Sequence, residues 1–285
     1  ILADPTYLGY PEVLKIVNAK EVDLPVYVDE GFQPDIEALK KKISRRTKAF
    51  VLLSPDNPTG RVIKKEIAKA IVDLACDHDF WIVCDDAYKH TVFEGSHCWV
   101  STLPGAEERT ITICSFSKEA SIPGLRLGYS YGPIEAIDGM EKYAQYLSLC
   151  PETLAQIGVA GYLNDPEAKD RYLSEKVIPT YKERCDAMWT FLKKYLPKVK
   201  ITKPQGAFYY FVDFSNYLKE LRLNEEEFAD ELRLKKNVII IAGGVFGKNG
   251  KNHERMTFVS EPDNRIEQGI KRISDYIEEK TGKTA

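Results

Sequence analysis

The chain has 285 residues, of which 44% are hydrophobic and 29% are charged, a composition typical of a folded protein long enough for two domains. The net charge of -3 argues against a nucleic-acid-binding surface. No apolar stretch reaches the ~18 residues that a membrane-spanning helix needs, and the opening residues lack the pattern of a signal peptide. Six cysteines without a CxxC pair and four scattered histidines predict reduced thiols and no metal site. We therefore expect a cytoplasmic protein with neither nucleic acid nor membrane as a partner.

The first half of the chain alternates predicted strands with predicted helices. Asp35 is available as the N-cap of the first of these helices. Most of the strands are continuous apolar runs, as in parallel strands buried on both faces. In order, the predicted elements are a strand at 26–28, a helix at 35–43, a strand at 49–53, a helix at 64–79, and strands at 80–84, 110–114 and 127–131. The alternation predicts an α/β fold with a mostly parallel sheet.

The second half has a different texture after Pro151. Helices are predicted at 152–163 and 169–196, the second with a kink or a join at Pro179. Strand candidates at 204–213, 238–242 and 255–259 alternate with helices at 225–235 and 264–279, and residues 280–285 form a polar tail. We expect a large domain over residues 1–168, followed by an interdomain helix and a small α+β domain over residues 169–285.

Polar side chains follow the three apolar strands of the first half. Asn57 follows the first strand, Asp85 and Tyr88 follow the second, and Lys118 follows the third. Because parallel strands of an α/β sheet bind ligands beyond their carboxyl ends, these positions predict one shared site.

The segment Ser115-Phe-Ser-Lys118, with Arg126 eight residues after the lysine, indicates the chemistry of this site. A lysine at the end of a buried strand can lose its charge by desolvation and act as an amine nucleophile. Ser115 and Arg126 are residue types that hold a phosphate. An amine between phosphate ligands suggests a phosphorylated aldehyde held as a Schiff base, and pyridoxal phosphate is the common one. The alternative from this segment alone is a lysine and an arginine at the start of a solvated helix.

Several motifs then occur in the order found in class I/II aminotransferases, which are fold-type I pyridoxal-phosphate enzymes. The chain resembles this family over nearly its whole length, most closely the aspartate-aminotransferase-like branch. The resemblance implies a three-layer α/β/α large domain and a smaller α+β domain. The motifs are Tyr7 and Tyr10 before Pro11, Asn57-Pro-Thr-Gly60, Asp85-Asp-Ala-Tyr88, Ser115-Phe-Ser-Lys118, Gly124-Leu-Arg126, Gly-Ala-Phe-Tyr near Ala207, and Arg255.

The resemblance also implies roles for individual residues. Lys118 would form the Schiff base and move a proton at the substrate Cα, as a buried lysine with a lowered pKa can. Asp85 would pair with the pyridine nitrogen and keep it protonated. Tyr88 and Asn57 would hydrogen-bond the 3-oxygen of the ring, with Asn57 also facing the substrate.

The remaining implied ligands bind the phosphate, the ring face and the substrate carboxylate. Ser115 and Arg126 would bind the phosphate, and Ser117 either joins them or caps the following helix. Tyr7 would stack on the ring, although an ordinary core aromatic is the alternative. Arg255 would bind the substrate α-carboxylate, although a plain ion pair is the alternative.

These roles predict a transaminase that moves an amino group from an L-amino acid to a 2-oxo acid, and the resemblance implies a homodimer. Relative to the family, the chain lacks an N-terminal portion that carries a phosphate-binding turn, so we expect uncovered faces or an open edge on the sheet. A β-eliminating C–S lyase or a related synthase would use nearly the same residues. A non-catalytic remnant that serves as an interaction module is the alternative from a different class.

Overall fold

A computed structural model describes residues 1–282. The strands within these residues are β1 (Leu2–Asp4), β2 (Asp23–Pro25), β3 (Ala49–Leu53), β4 (Trp81–Asp85), β5 (Thr110–Ser115), β6 (Gly128–Tyr131), β7 (Tyr209–Asp213), β8 (Ile241–Ala242) and β9 (His253–Thr257). The helices are α1 (Gly9–Ile16), α2 (Ile36–Lys42), α3 (Lys65–His78), α4 (Phe116–Glu119), α5 (Ile134–Leu147), α6 (Thr153–Leu163), α7 (Pro166–Tyr172), α8 (Ile178–Tyr195), α9 (Ser215–Leu221), α10 (Glu225–Lys236) and α11 (Asp263–Thr281).

Six of the strands form a mixed sheet in the order β2-β1-β3-β4-β5-β6. The strands β1, β3, β4 and β5 run parallel, whereas β6 is antiparallel to β5. The predicted α/β class with a mostly parallel sheet is therefore confirmed. The other three strands form a small antiparallel sheet in the order β7-β9-β8.

Chain contacts divide the molecule into two compact units. The first unit comprises Ile1–Leu2, Pro34–Pro55 and Val62–Ile178, and the second comprises the rest of the described chain. The predicted domain boundary between residues 168 and 169 stays a prediction, because contact clustering alone does not define an independently folding domain.

In the first unit, one face of the sheet is well buried and the other is not. Residues alternate along β4, where Ile82 and Cys84 are buried while Trp81 and Val83 are half-exposed. The helix α5 buries none of its residues, and within residues 1–282 the strand β6 pairs with β5 alone. The expected incompletely covered face and open edge are therefore present, whereas the neighbouring strands β1 and β3 are buried on both faces.

In the second unit, the strand β7 lies within the core. Every residue of β7 is buried, and its aromatic side chains pack against helices and loops of the same unit. Phe211 contacts Phe32 and Phe246 edge to face, with ring centroids about 6 Å apart. The aromatic cluster at residues 208–211 thus serves packing, which is its ordinary role in a half-buried strand.

Several predicted elements are confirmed with small shifts at their ends. The side chain of Asp35 accepts hydrogen bonds from the backbone N–H groups of Glu37 and Ala38, as an N-cap does. The predicted helices at 64–79, 152–163, 225–235 and 264–279 correspond to α3, α6, α10 and α11.

Three predicted strands were wrong in position or length. The strand expected at 26–28 lies at Asp23–Pro25, and Val28–Glu30 forms a 3-10 turn that ends at Gly31 in the left-handed region. Residues 204–208 precede β7 as a turn, because the N–H groups of Gln205 and Gly206 both donate to the carbonyl of Gly60. Only Ile241–Ala242 of the strand expected at 238–242 pairs with β9.

The long helix expected at 169–196 is divided. A π-helical turn at Leu173–Val177 separates α7 from α8, and Pro179 is the second residue of α8. Proline lacks the N–H that the helical ladder needs, so a join at this place has a local cause. The expected polar tail begins later than predicted because α11 continues to Thr281, and residues 283–285 lie outside the described chain.

Candidate active site

The carboxyl ends of β4 and β5 bring several predicted site residues to one edge of the sheet. Leu53 at the end of β3 is in register with Asp85 of β4, which in turn is in register with Ile113 of β5. Parallel strands in this register end side by side, so the residues that follow β4 and β5 start from neighbouring points. The prediction that Asp85, Tyr88 and Lys118 share an edge of the sheet is consistent with this register.

Lys118 lies on a single helical turn that continues directly from β5. Ser115 caps this turn, since its side chain accepts a hydrogen bond from the N–H of Ser117 at 3.3 Å. The N–H of Phe116 donates to the carbonyl of Leu127 at 3.2 Å, which ties the turn to the segment before β6. Lys118 itself is half-buried.

Arg126 lies beside this turn because β6 approaches β5 very closely. Ser115 is in register with Gly128, and a Cβ atom at Gly128 would lie 2.5 Å from the carbonyl oxygen of Cys114. Only glycine tolerates that approach. The exposed Arg126 has a left-handed backbone with a φ of 51°, and its guanidinium donates to the carbonyl of Pro123 at 2.9 Å.

Asp85 is the last residue of β4, and Tyr88 lies in the short turn that follows it. The Oδ1 atom of Asp85 accepts a hydrogen bond from the N–H of Ala87 at 3.0 Å, and Asp85 is half-buried. Tyr88 and the neighbouring Asp86 are buried. An acidic group held at a strand end can pair with a cationic ring nitrogen, whereas Asp86 points into the protein interior, where burial of a charge requires partners.

In the second unit, Arg255 and Asn57 are hydrogen-bonded although 198 residues separate them. The guanidinium Nη1 of Arg255 donates to Oδ1 of Asn57 at 2.9 Å. The guanidinium carbon Cζ of Arg255 lies 4.5 Å from the ring centroid of Tyr209 and 4.8 Å from that of Phe246. Cation–π contacts on two rings and one amide acceptor hold this guanidinium, so its bonding is not that of a plain ion pair.

Tyr7 is also in the second unit, on the loop before α1. Its side chain is exposed, with 41% relative accessibility, so it does not belong to the hydrophobic core. Its ring contacts Tyr10 edge to face with centroids 6.1 Å apart. A ring with an open face suits stacking on a planar ligand.

Sequence reasoning missed a buried ion pair next to the predicted site residues. Lys89 directly follows Tyr88, Glu119 directly follows Lys118, and the ammonium of Lys89 bonds the carboxylate of Glu119. Each side chain is only 4% exposed. The signal in the sequence was weak, because charged residues beside a motif are usually solvated.

The donor set of the first unit fits a phosphorylated pyridine aldehyde. The end of β5, the turn after it and the segment before β6 carry hydroxyls, a half-buried lysine and a guanidinium, and the last residue of β4 carries a carboxylate. Hydroxyls and a guanidinium are groups that bind a phosphate, an amine reacts with an aldehyde, and a carboxylate pairs with a protonated ring nitrogen. Among the described residues, no group of three or more His, Cys, Asp or Glu side chains is arranged to hold a metal ion. No helix in this part of the chain is long and apolar enough to cross a membrane. The fold and the donor set together define a pyridoxal-phosphate-dependent transferase.

Comparisons with known proteins give the family. The family model for aminotransferase class I and II matches residues 1–273. The aspartate aminotransferase of Pyrococcus abyssi is 31% identical over 98% of this chain and 70% of its own length. The aspartate/prephenate aminotransferase of Thermus thermophilus is 33% identical over 97% of the chain and 69% of its own. The structure of an aromatic aminotransferase from Pyrococcus horikoshii superposes with a TM-score of 0.91 at 28% identity, over 98% of this chain and 72% of that one.

The chain belongs to the class I and II aminotransferases. It is a pyridoxal-phosphate-dependent aminotransferase, and its substrates are amino acids and 2-oxo acids. The expected family, fold type, cofactor and reaction are therefore confirmed.

Proposed function

We propose that Lys118 is the lysine that attaches the cofactor and moves the proton at the substrate Cα. The observation that supports this proposal is the capped turn of α4, which places the half-buried Lys118 directly after β5, where Ser115 pairs with Gly128 two residues beyond Arg126. Pyridoxal phosphate, when bound, supplies an electron sink for the bonds at Cα. The lysine amine would then be the group that takes and returns the proton at that carbon.

The other predicted residues take the roles of holding and tuning the ligand. Ser115, Ser117 and Arg126 would bind the phosphate through hydroxyl and guanidinium donors. Ser117 contributes its N–H to the cap at Ser115, which leaves its hydroxyl for the phosphate. Asp85 would hold the ring nitrogen in its protonated state, and Tyr88 would donate to the 3-oxygen.

Three further predicted residues, Arg255, Asn57 and Tyr7, would contact the ring and the substrate. Arg255, held by Asn57 and by two aromatic rings, would bind the α-carboxylate through its remaining donors. Asn57 would add a hydrogen bond to the 3-oxygen, and Tyr7 would stack on the ring. We propose a homodimer as the working assembly and the cytoplasm as its location.

The test of this function is an absorbance spectrum of the purified chain with pyridoxal phosphate, beside Lys118→Ala. A band near ~420 nm that borohydride removes, and that the variant lacks, is expected when a lysine amine holds the cofactor. Peptide mapping of the reduced sample should place the label on Lys118. A band of equal strength in Lys118→Ala would contradict the assignment.

Product analysis separates the transaminase from the lyase and synthase alternatives. A transaminase with a second substrate yields a new amino acid and a 2-oxo acid, whereas a β-eliminating lyase yields pyruvate, ammonia and a thiol. The names of the relatives give aspartate, prephenate and aromatic amino acids, which form the first panel. A chain that shows neither band nor products would favour the interaction-module alternative.

A further inference from the structure

The buried pair of Lys89 and Glu119 joins the two turns that carry Tyr88 and Lys118. The pair links residues 30 positions apart in the sequence. Lys89 lies in the turn after β4 and Glu119 ends α4, the single turn after β5. Each member is thus one residue away from a proposed site residue.

Stability alone does not account for a buried ion pair at this place. Removing two charges from water costs several kcal/mol per ion, and apolar residues of similar volume often stabilise a protein as well or better. The two side chains are each 4% exposed, so the desolvation cost applies to both. Because burial of this pair carries such a cost, the pair is better explained by the positions of the two turns that it holds together.

The surroundings of the pair show which elements it fixes. The ammonium of Lys89 lies 5.4 Å from the ring centroid of Tyr129 on β6. The second carboxylate oxygen of Glu119 lies 3.5 Å from Nε2 of His90, which follows Lys89 in the chain. The cluster therefore connects the turn after β4, the turn after β5 and the antiparallel strand β6.

The helical turn that carries Lys118 needs such an anchor. The helix α4 has four residues, and a single turn has little stability of its own because nucleation is unfavourable. Its amino end is fixed by the Ser115 cap. Its carboxyl end is fixed by Glu119, whose neighbours on the chain are Lys118 and Ala120.

We propose that the ion pair of Lys89 and Glu119 is a positioning device that holds the Lys118 turn against the Tyr88 turn. The proposal rests on the roles assigned above to Lys118 and Tyr88. Neither Lys89 nor Glu119 is assigned contact with cofactor or substrate. Their effect is to fix where the lysine amine stands and to balance the charge around it.

Charge balance gives the proposal a signature that packing lacks. Loss of the Lys89 ammonium leaves an unbalanced carboxylate at Glu119, one residue along the chain from Lys118, and a nearby negative charge favours the protonated amine. Loss of the Glu119 charge leaves the ammonium of Lys89 unbalanced, and this positive charge disfavours the protonated amine of Lys118. Other charged or titratable groups surround the pair. The imidazole of His90 lies near the Glu119 carboxylate and has His97 and Lys169 as neighbours. Tyr162 also lies near that carboxylate, and Tyr129 and Cys114 lie near the Lys89 ammonium.

The experiment compares Lys89→Met, Glu119→Gln, and the double variant Lys89→Met/Glu119→Gln with the parent chain. Each sample receives pyridoxal phosphate across a pH series. Two quantities are measured: the pH midpoint of the visible absorbance change, and the rate at which Lys118 acquires a borohydride-stable label, mapped by peptide mass.

Opposite shifts of the midpoint are expected in the two single variants. It should rise by about 0.5–1 pH unit in Lys89→Met and fall by a similar amount in Glu119→Gln, because the unbalanced charge changes sign. The double variant should return toward the parent midpoint but label Lys118 about tenfold more slowly, since the turn has lost its anchor. The double variant leaves no unbalanced charge, so it tests the proposal even if a single variant does not fold.

Arg109→Met is the matched control. Arg109 and Asp79 also form an ion pair across 30 residues of the same unit, at 2.7 Å, but at the amino ends of the strands and in solvent. The absorbance midpoint and the Lys118 labelling rate of Arg109→Met should equal those of the parent chain. A folded double variant that labels at the parent rate would overturn the positioning role, as would single variants whose midpoints shift in the same direction.

Failure of the proposed function would look different. In that case the parent chain itself would carry no label on Lys118, and the comparison of variants would end there with both proposals overturned. A parent chain labelled on Lys118, with variants that match it, would overturn the positioning role alone.

Discussion

Two buried glutamates, one in each unit, show how differently this protein treats the same side chain. Glu119 in the first unit is 4% exposed and bonds the ammonium of Lys89. Glu254 in the second unit is fully buried on β9, and neither of its carboxylate oxygens has a hydrogen-bond partner among the described residues. Burial, and then the nearby charge of Glu225, raises the pKa of Glu254 to about 9.

The difference follows from what each carboxyl group can bond. A buried carboxylate with a cationic partner keeps its charge, whereas one without a partner keeps its proton. Glu119 is therefore part of an electrostatic cluster beside the proposed lysine, while Glu254 is a neutral acid in a packed sheet at neutral pH. The following four experiments test this contrast, from the largest expected effect to the smallest.

Breaking the pair in the first unit should cost the most stability. Lys89→Met leaves the Glu119 carboxylate buried without its partner, and removing one member of a buried pair typically costs about 3–5 kcal/mol. Chemical denaturation at pH 7, followed by a signal from the first unit, measures this loss. An unfolding midpoint equal to that of the parent would show that the buried pair contributes no stability.

Glu254 should make stability fall as the pH rises. The folded group has a pKa of about 9 and the ordinary value is 4.5, so between these pH values the native state retains a proton that the unfolded chain has released. The free energy of unfolding therefore decreases as the pH rises through this window. Below about pH 4.5 both states are protonated, and Glu254 no longer makes stability depend on pH.

Glu254→Gln should remove this dependence because glutamine does not titrate. From pH 5 to pH 8 the variant should gain about 2–4 kcal/mol of stability relative to the parent. Unfolding at several pH values measures the difference, and Glu119→Gln serves as the control that should not reproduce it. Parallel pH profiles for the variant and parent would show that Glu254 is ionised in the folded protein.

Glu225→Gln should reduce the same dependence by a smaller amount. Glu225 is the second cause of the raised pKa of Glu254, so a neutral residue there should lower that pKa by about 0.5–1 unit. The pH range over which stability falls then ends at a lower pH, and the total loss of stability across it becomes smaller by about 1 kcal/mol. Differences between pH 5 and pH 9 are the quantity to compare, because Glu225 also begins α10 and favours its amino end at every pH.

The smallest effect is expected for the solvent-exposed pair of Arg109 and Asp79. Exposed ion pairs contribute about 0–1 kcal/mol, so Arg109→Met should destabilise the first unit by less than 1 kcal/mol. The loss should shrink further in 1 M salt, where screening is strong. A loss as large as that of Lys89→Met would mean that burial does not decide the strength of these pairs.

The confirmed sequence predictions depend on local patterns. The strand at 49–53 is a continuous apolar run, the N-cap at Asp35 is an acidic residue before a helical repeat, and the strand predicted at 110–114 is a run that ends before Ser115. The cap that Ser115 forms was not predicted, because Ser117 was the residue considered for it. Each pattern acts over a few residues, so it can be read without the rest of the chain. Strand positions were least accurate where backbone donors bond distant carbonyls, as at Gln205 and Gly206.

The candidate site was predicted as a set of residue types, whereas its internal bonding was not. The roles of Lys118, Asp85 and the others stay predictions that the labelling and product experiments address. The bond between Arg255 and Asn57 and the pair of Lys89 and Glu119 are contacts between distant parts of the chain. A charged residue in a sequence gives no indication of which opposite charge it will meet.

The sequence by itself determined the alternation of strands and helices, the α/β class, and the order of motifs from which the family and its cofactor follow. These features are set by local periodicity, by capping residues and by short motifs. The tertiary structure alone decided that Gly128 lets β6 lie antiparallel against β5, that Glu119 is paired, and that Glu254 is not. Strand register and burial are properties of the whole packed chain, and they decide whether a carboxyl group keeps its charge or its proton.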